Sequence, residues 1–158
     1  MHVISTFARA ATREVFATML NLEVQSLDDH EENIRPPLEL SGVCGGVSFA
    51  GKMTGTLYLN LTENLSKVAA NCVLGSDVEQ PQDQVNDIVG ELTNMITGNF
   101  KSKMANRGYN CTLSIPTVMR GRKISIDSVH PSVSLMNSFN VPETNDILNI
   151  CIFANLEE

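Results

Sequence analysis

The chain has 158 residues, 42% hydrophobic and 18% charged, a size and balance that fit one domain, residues 1–158, with a sizeable core. Its net charge of −7, with no basic cluster, argues against nucleic acid, whose phosphates call for Lys and Arg. No apolar run approaches the ~20 residues of a membrane span and no basic-then-apolar leader is visible, so the expectation is a soluble, cytoplasmic protein.

In chain order, residues 4–22 read as a helix, with Phe7, Ala11, Val15, Ala17, Met19 and Leu22 near helical spacing and Ser5 or Thr6 as its cap. Residues 22–27 alternate like a short strand. Residues 28–37 are acidic, end in Pro36-Pro37, and read as a loop. His30 stands there among Asp28, Asp29, Glu31 and Glu32. These are metal-ligand residue types, but a charge run in a loop is ordinarily solvated, and no metal is expected. Residues 38–49 and 53–61 form a hairpin about the turn at 50–52. Gly42, Gly45 and Gly46 lie in its first strand, but the order of a phosphate-binding loop is missing. Bulges or close packing explain such glycines better.

Thr62 is a candidate N-cap for a short helix carrying Leu65, Val68, Ala69, Cys72 and Val73, with Gly75 at its end. A polar loop with Pro81 leads into a long helix over 82–108. Residues 111–119 read as a strand that Pro116 pushes towards an edge or a bulge. Arg120-Gly121-Arg122 reads as a solvated turn, and 124–129, 132–141 and 146–156 as further strands. Short turns between strands imply a mainly antiparallel sheet, and apolar helices need a sheet face to cover. The expected class is α/β in the α+β sense: two layers, with long helices on an antiparallel sheet. Of the four cysteines, Cys72, Cys111 and Cys151 sit in apolar contexts that suit buried, reduced thiols, while Cys44 lies in the Gly-rich strand.

The long helix organises the rest. Val85, Ile88, Val89, Leu92, Ile96 and Phe100 make one apolar stripe, with Met95 at its margin. The opposite side carries Asp87, Gly90, Glu91, Asn94, Gly98 and Lys101. Glu91 and Asn94 stand three apart and are neighbours on the helix surface. This face runs against local propensity, since a mid-helix Gly costs about 1 kcal/mol relative to Ala. A solvated face with tolerated glycines is the plain reading. A face built for close approach of another molecule is the functional one.

Glu91-Leu92-Thr93-Asn94, followed by Met95-Ile96-Thr97-Gly98-Asn99, resembles the signature helix of the CheX-type chemotaxis phosphatases, in the CheC/CheX/FliY family. The match is close from Asp87 to Lys101 and loose over the rest of the chain. The resemblance implies long helices on a largely antiparallel sheet, with an internal pseudo-repeat. Two-site members carry a second E-x-x-N in the first helix. Here Glu14-Val15-Phe16-Ala17 has the Glu without the Asn, so one site is expected.

The implied substrate is the phosphoaspartate of a CheY-like response regulator, whose own domain supplies the Mg²⁺; this chain is expected to bind no cofactor. An amide is no general base near neutral pH but can hold a water by donating and accepting hydrogen bonds. Asn94 is therefore the candidate that fixes the attacking water, as a Gln does in small GTPases. Glu91 orients the partner through its active-site lysine, as the resemblance implies. Gly90 and Gly98 would give clearance, Asp87 and Lys101 would flank the contact, and Asn99 is read as structural, bonding a neighbouring backbone. Family members pair, so a homodimer is expected. The competing reading is a non-catalytic module that docks on a phosphorylated regulator or a flagellar-switch component; a third is a domain serving a regulator outside chemotaxis.

Overall fold

The computed structural model describes residues 2–27 and 32–157. The acidic loop with His30 falls largely on residues 28–31, outside the described residues. Eight strands among the described residues form one antiparallel sheet, and three helices cover one face. The expected two-layer α+β architecture is the observed one.

Helix α1 spans His2–Val15 and continues as a wider π turn, Phe16–Leu20. It begins earlier than the sequence stripe suggested, because Val3 and Ile4 extend the apolar side. Neither Ser5 nor Thr6 caps it. The Ser5 hydroxyl is buried and donates to Asn137 Oδ1 at 3.1 Å, and the Thr6 hydroxyl donates to the His2 carbonyl. The strand expected at 22–27 shrinks to β1, Gln25–Ser26, and β2 is Glu32–Asn33; both pair with β7.

Strands β3 (Leu38–Gly51) and β4 (Met53–Leu61) form the expected hairpin. Helix α2 (Glu63–Leu74) starts as read, with the Thr62 hydroxyl accepting from the Leu65 N–H at 2.9 Å, and ends at Gly75 with φ +62°. Helix α3 spans Gln82–Ala105, about 36 Å at 1.5 Å per residue. After it come β5 (Cys111–Leu113), β6 (Thr117–Ile126), β7 (Val133–Val141) and β8 (Asp146–Leu156).

The strand expected at 111–119 is broken at Ser114–Pro116, and Arg120-Gly121-Arg122 is no turn. Those three residues lie inside β6, paired with β3, with Gly121 opposite Gly42. The β3 register shifts between Leu40 and Gly42, where Gly42 adopts φ +99°. A bulge of this kind bends the pair, and the two facing glycines leave room for the bend. Arg120 is not merely solvated: it is half-buried and bonds Glu63 at 2.9 and 3.1 Å and Asn86 at 2.6 Å. It ties β6 to both α2 and α3.

The sheet runs β1/β2–β7–β8–β4–β3–β5/β6. Its helix-facing side supplies Val43, Phe49, Leu57, Leu59, Leu135 and Ile150 among others, and α3 lays its whole predicted stripe on them. A smaller cluster of Leu40, Cys44, Ile124, Ile126, Cys151 and Phe153 lies on the far face. The cysteines are all free. Cys111 and Cys151 are buried as expected, Cys72 is exposed contrary to expectation, and Cys44 is buried in its Gly-rich strand. Burial pushes the Cys44 thiol up to about 12 and raises Cys151 as well. No helix among the described residues is long and apolar enough to cross a membrane.

Candidate functional site

Helix α3 has a buried side and a polar outer side, and the sheet sets the height between them. Thr93 sits inside the Glu91–Asn94 run, yet it is fully buried. Its hydroxyl donates to the Val89 carbonyl at 2.7 Å. A Cβ placed on Gly45 of β3 would collide with that hydroxyl. Gly45 therefore lets the helix settle onto the strand, and the glycine serves helix-on-sheet contact and not contact between strands. With Thr93 pointing down, Glu91 and Asn94 emerge on the other side.

Asp87, Glu91, Asn94 and Gly98 share one surface stripe. Asp87 and Glu91 are exposed, while Asn94 and Gly98 are half-buried. Glu91 and Asn94, three apart, have Cβ atoms about 5–6 Å from each other by helix geometry. Neither is tied by a hydrogen bond or ion pair to another described side chain. Nothing lies within 4 Å of a Cβ built on Gly98, so that turn is open. Lys101 is half-buried at the far end, near Cys111, whose thiol burial raises while the Lys101 charge opposes the rise.

Gly90 departs from the expected arrangement. It is buried, and an added Cβ would sit 3.4 Å from Pro116 Cγ and 3.6 Å from Val118 Cγ2. Its open side is filled by the segment between β5 and β6, so it gives no clearance to an incoming molecule. Sequence spacing supplied its angle on the helix but not the distant loop that seals it.

Asn99, read as bonding a neighbouring backbone, instead bonds two side chains. Asn99 Nδ2 donates to Glu14 Oε2 at 2.7 Å, and Lys103 Nζ donates to Asn99 Oδ1 at 2.6 Å. Lys103 also pairs with Glu14 at 3.3 Å. The Asn99 hydrogen bond, with help from Lys103 and against some burial, holds the Glu14 carboxyl below its ordinary range. The first-helix Glu is thus engaged in joining α1 to α3.

One concavity lies away from Glu91 and Asn94. A cavity of about 300 Å³ is lined by Glu63, Lys67, Glu79, Gln80 and Arg120 among others. Its charges are paired within it, Lys67 with Glu79 and Arg120 with Glu63. Among the described residues no three His, Cys, Asp or Glu side chains cluster as metal ligands would.

The stripe is thus a convex, polar, uncommitted ridge on a firmly buried helix. A ridge presents groups to another macromolecule's cavity and does not itself enclose a small molecule. Comparison with known proteins gives the same frame. A family model described as chemotaxis phosphatase CheX matches residues 43–140. Among curated proteins no sequence matches. Chemotaxis protein CheX from Vibrio vulnificus superposes with a TM-score of 0.84 at 22% identity, over 96% of this chain and 99% of that one. A CheC-like superfamily protein from Shewanella sp. PV-4 gives 0.78 at 25% identity, over 97% of each chain. The CheX–CheY–BeF3–Mg²⁺ complex from Borrelia burgdorferi contains a match at 0.77 and 18% identity, over 98% of this chain and 97% of that one.

Proposed function

Starting from the chain's membership of the chemotaxis phosphatase CheX family, which the match over residues 43–140 shows, we propose that it dephosphorylates the phosphoaspartate of a CheY-like response regulator. The observation that carries this reading is the pair Glu91 and Asn94, side by side, accessible and uncommitted on the outer face of α3. That a CheX from Borrelia burgdorferi forms a complex with CheY supports the partner class. The regulator brings its own Mg²⁺, and this chain adds no cofactor. We place the protein in the cytoplasm, where such regulators act.

The chemistry asked of the chain is small. An acyl phosphate is already labile, and hydrolysis needs a water held in line with phosphorus. The Asn94 amide can donate to and accept from that water, which fixes its direction without taking its proton. Glu91, one helical turn earlier, presents a carboxylate to the regulator's active-site lysine and so sets the angle at which α3 enters. The buried stripe beneath keeps both groups fixed, so little ordering is left for the encounter.

The test is the decay of phosphorylated CheY-like regulator with and without the protein. Asn94→Ala should lower the catalysed rate constant at saturation by at least about a hundredfold, the scale of a lost positioning group, with an unchanged melting temperature. Glu91→Ala should chiefly raise the regulator concentration needed for half-maximal rate. Undiminished turnover in Asn94→Ala would sink the mechanism. A complex that forms with phosphorylated regulator and leaves its lifetime unchanged would make the chain a binding module.

A further inference from the structure

The segment Ser114–Pro116 between β5 and β6 is where the sequence reading and the structure differ most, and it lies beside the proposed site. Pro116 seats on Gly90. Gly90 and Asn94 are four apart and so lie in one row of α3, about 5–6 Å from each other at Cβ. The loop therefore flanks Asn94 on the side away from Glu91. Its outermost residue, Ile115, is 85% exposed. The loop is anchored: the Ser114 N–H donates to the Ser48 carbonyl at 2.8 Å, and the Ser114 hydroxyl accepts from the Ser48 N–H at 2.9 Å. Pro116 restricts the backbone that follows Ile115. A branched apolar side chain is thus held out in water by a braced loop whose Pro116 meets α3 one helical turn from the water-positioning residue.

Isolated exposed apolar residues are ordinary on protein surfaces. Ile115 differs by its place in the chain: it directly precedes Pro116, which lies against α3 at Gly90, four residues from Asn94. We propose that Ile115 is an apolar docking residue for the receiver domain of the response regulator, burying its side chain against that domain's rim while Glu91 and Asn94 enter the phosphorylation site. Pro116, packed beside Gly90, then holds Ile115 in place. This rests on the phosphatase reading for the identity of the partner. It adds a contact that polar ridge residues cannot supply, since a desolvated apolar anchor carries much of the affinity in an interface.

The test uses the full chain and a CheY-like regulator, either phosphorylated or loaded with beryllofluoride and Mg²⁺. Dissociation constant, KM and kcat are measured for wild type, Ile115→Ser, Ile115→Leu and Val129→Ser, with melting temperature and oligomeric state recorded for each. Val129 is 84% exposed in the β6–β7 connection and serves as an equally exposed control. The expected result is a roughly tenfold weaker Kd and higher KM for Ile115→Ser, as loss of a buried aliphatic side chain implies, with kcat and melting temperature unchanged. Ile115→Leu should restore most of the affinity, and Val129→Ser should bind as wild type. Equal affinity in Ile115→Ser and wild type would overturn the proposal. So would a change in oligomeric state with regulator affinity intact, which would assign Ile115 to self-association. The hydrolysis reading is judged separately, by kcat in Asn94→Ala. A chain that binds through Ile115 without accelerating decay would keep this inference and lose that one.

Discussion

At Gly98 the needs of a helix and the needs of a docking face point in opposite directions. A glycine in the middle of α3 costs stability, and a methyl group there would meet nothing within 4 Å. Gly98→Ala should therefore stabilise the fold by about 0.5–1 kcal/mol, read as a higher melting temperature. If the regulator approaches the helix backbone at this turn, the same methyl should slow dephosphorylation. Higher stability with unchanged activity would remove clearance from the role of Gly98. Gly90 has a different setting although it lies two turns away in the same row: a methyl there would rest against Pro116 at 3.4 Å. Two glycines that look alike on a helical wheel thus separate into one that is open and one that is covered.

Between elements, the contact of α3 with β3 rests on Gly45 and Thr93. Gly45→Ala forces its methyl into the Thr93 side chain and should destabilise by about 1–3 kcal/mol, the range for overpacking. Thr93→Ala in the same chain removes the offending hydroxyl and should recover most of that loss. Denaturant unfolding of the two single variants and the double variant reads the coupling; strictly additive effects would show that the close approach does not matter. The stripe that α3 buries was readable in the sequence because a long element repeats its pattern many times. The edges of the sheet were not. Arg120-Gly121-Arg122 has the composition of a turn, and only the bulge at Gly42, far away in the chain, makes Gly121 a strand residue. The Asn99 partner Glu14 lies 85 residues away, beyond anything local spacing reports. Glu91 and Asn94 were visible because a polar face with glycines defies helix propensity. Ile115 was invisible because exposure cannot be read from one apolar residue in a presumed strand.

At the scale of the molecule, β6 pairs with β3 along one side, and no described strand pairs along its other side. An unpaired edge of this length is a template for another strand, and the expected homodimer would use it. Arg122 is exposed on β6, whereas the neighbouring Lys123 is paired with Glu39 at 3.3 Å; where Arg122 faces its own copy across a paired edge, added salt should favour pairing. Light scattering across concentration and ionic strength checks this, and a monomer throughout would remove the dimer.

The placement of the proposed site residues on α3 also bears on how the protein responds to heat. Ten residues of that helix are buried, so α3 cannot loosen without exposing the centre of the core. A site on a loop melts before its domain does. Here Thr93, within the run that carries Glu91 and Asn94, is itself a core residue, so the candidate face and the fold share one cooperative unit. Warming the protein should leave its geometry intact up to the global transition, and amide exchange near Asn94 should proceed as slowly as in the central strands.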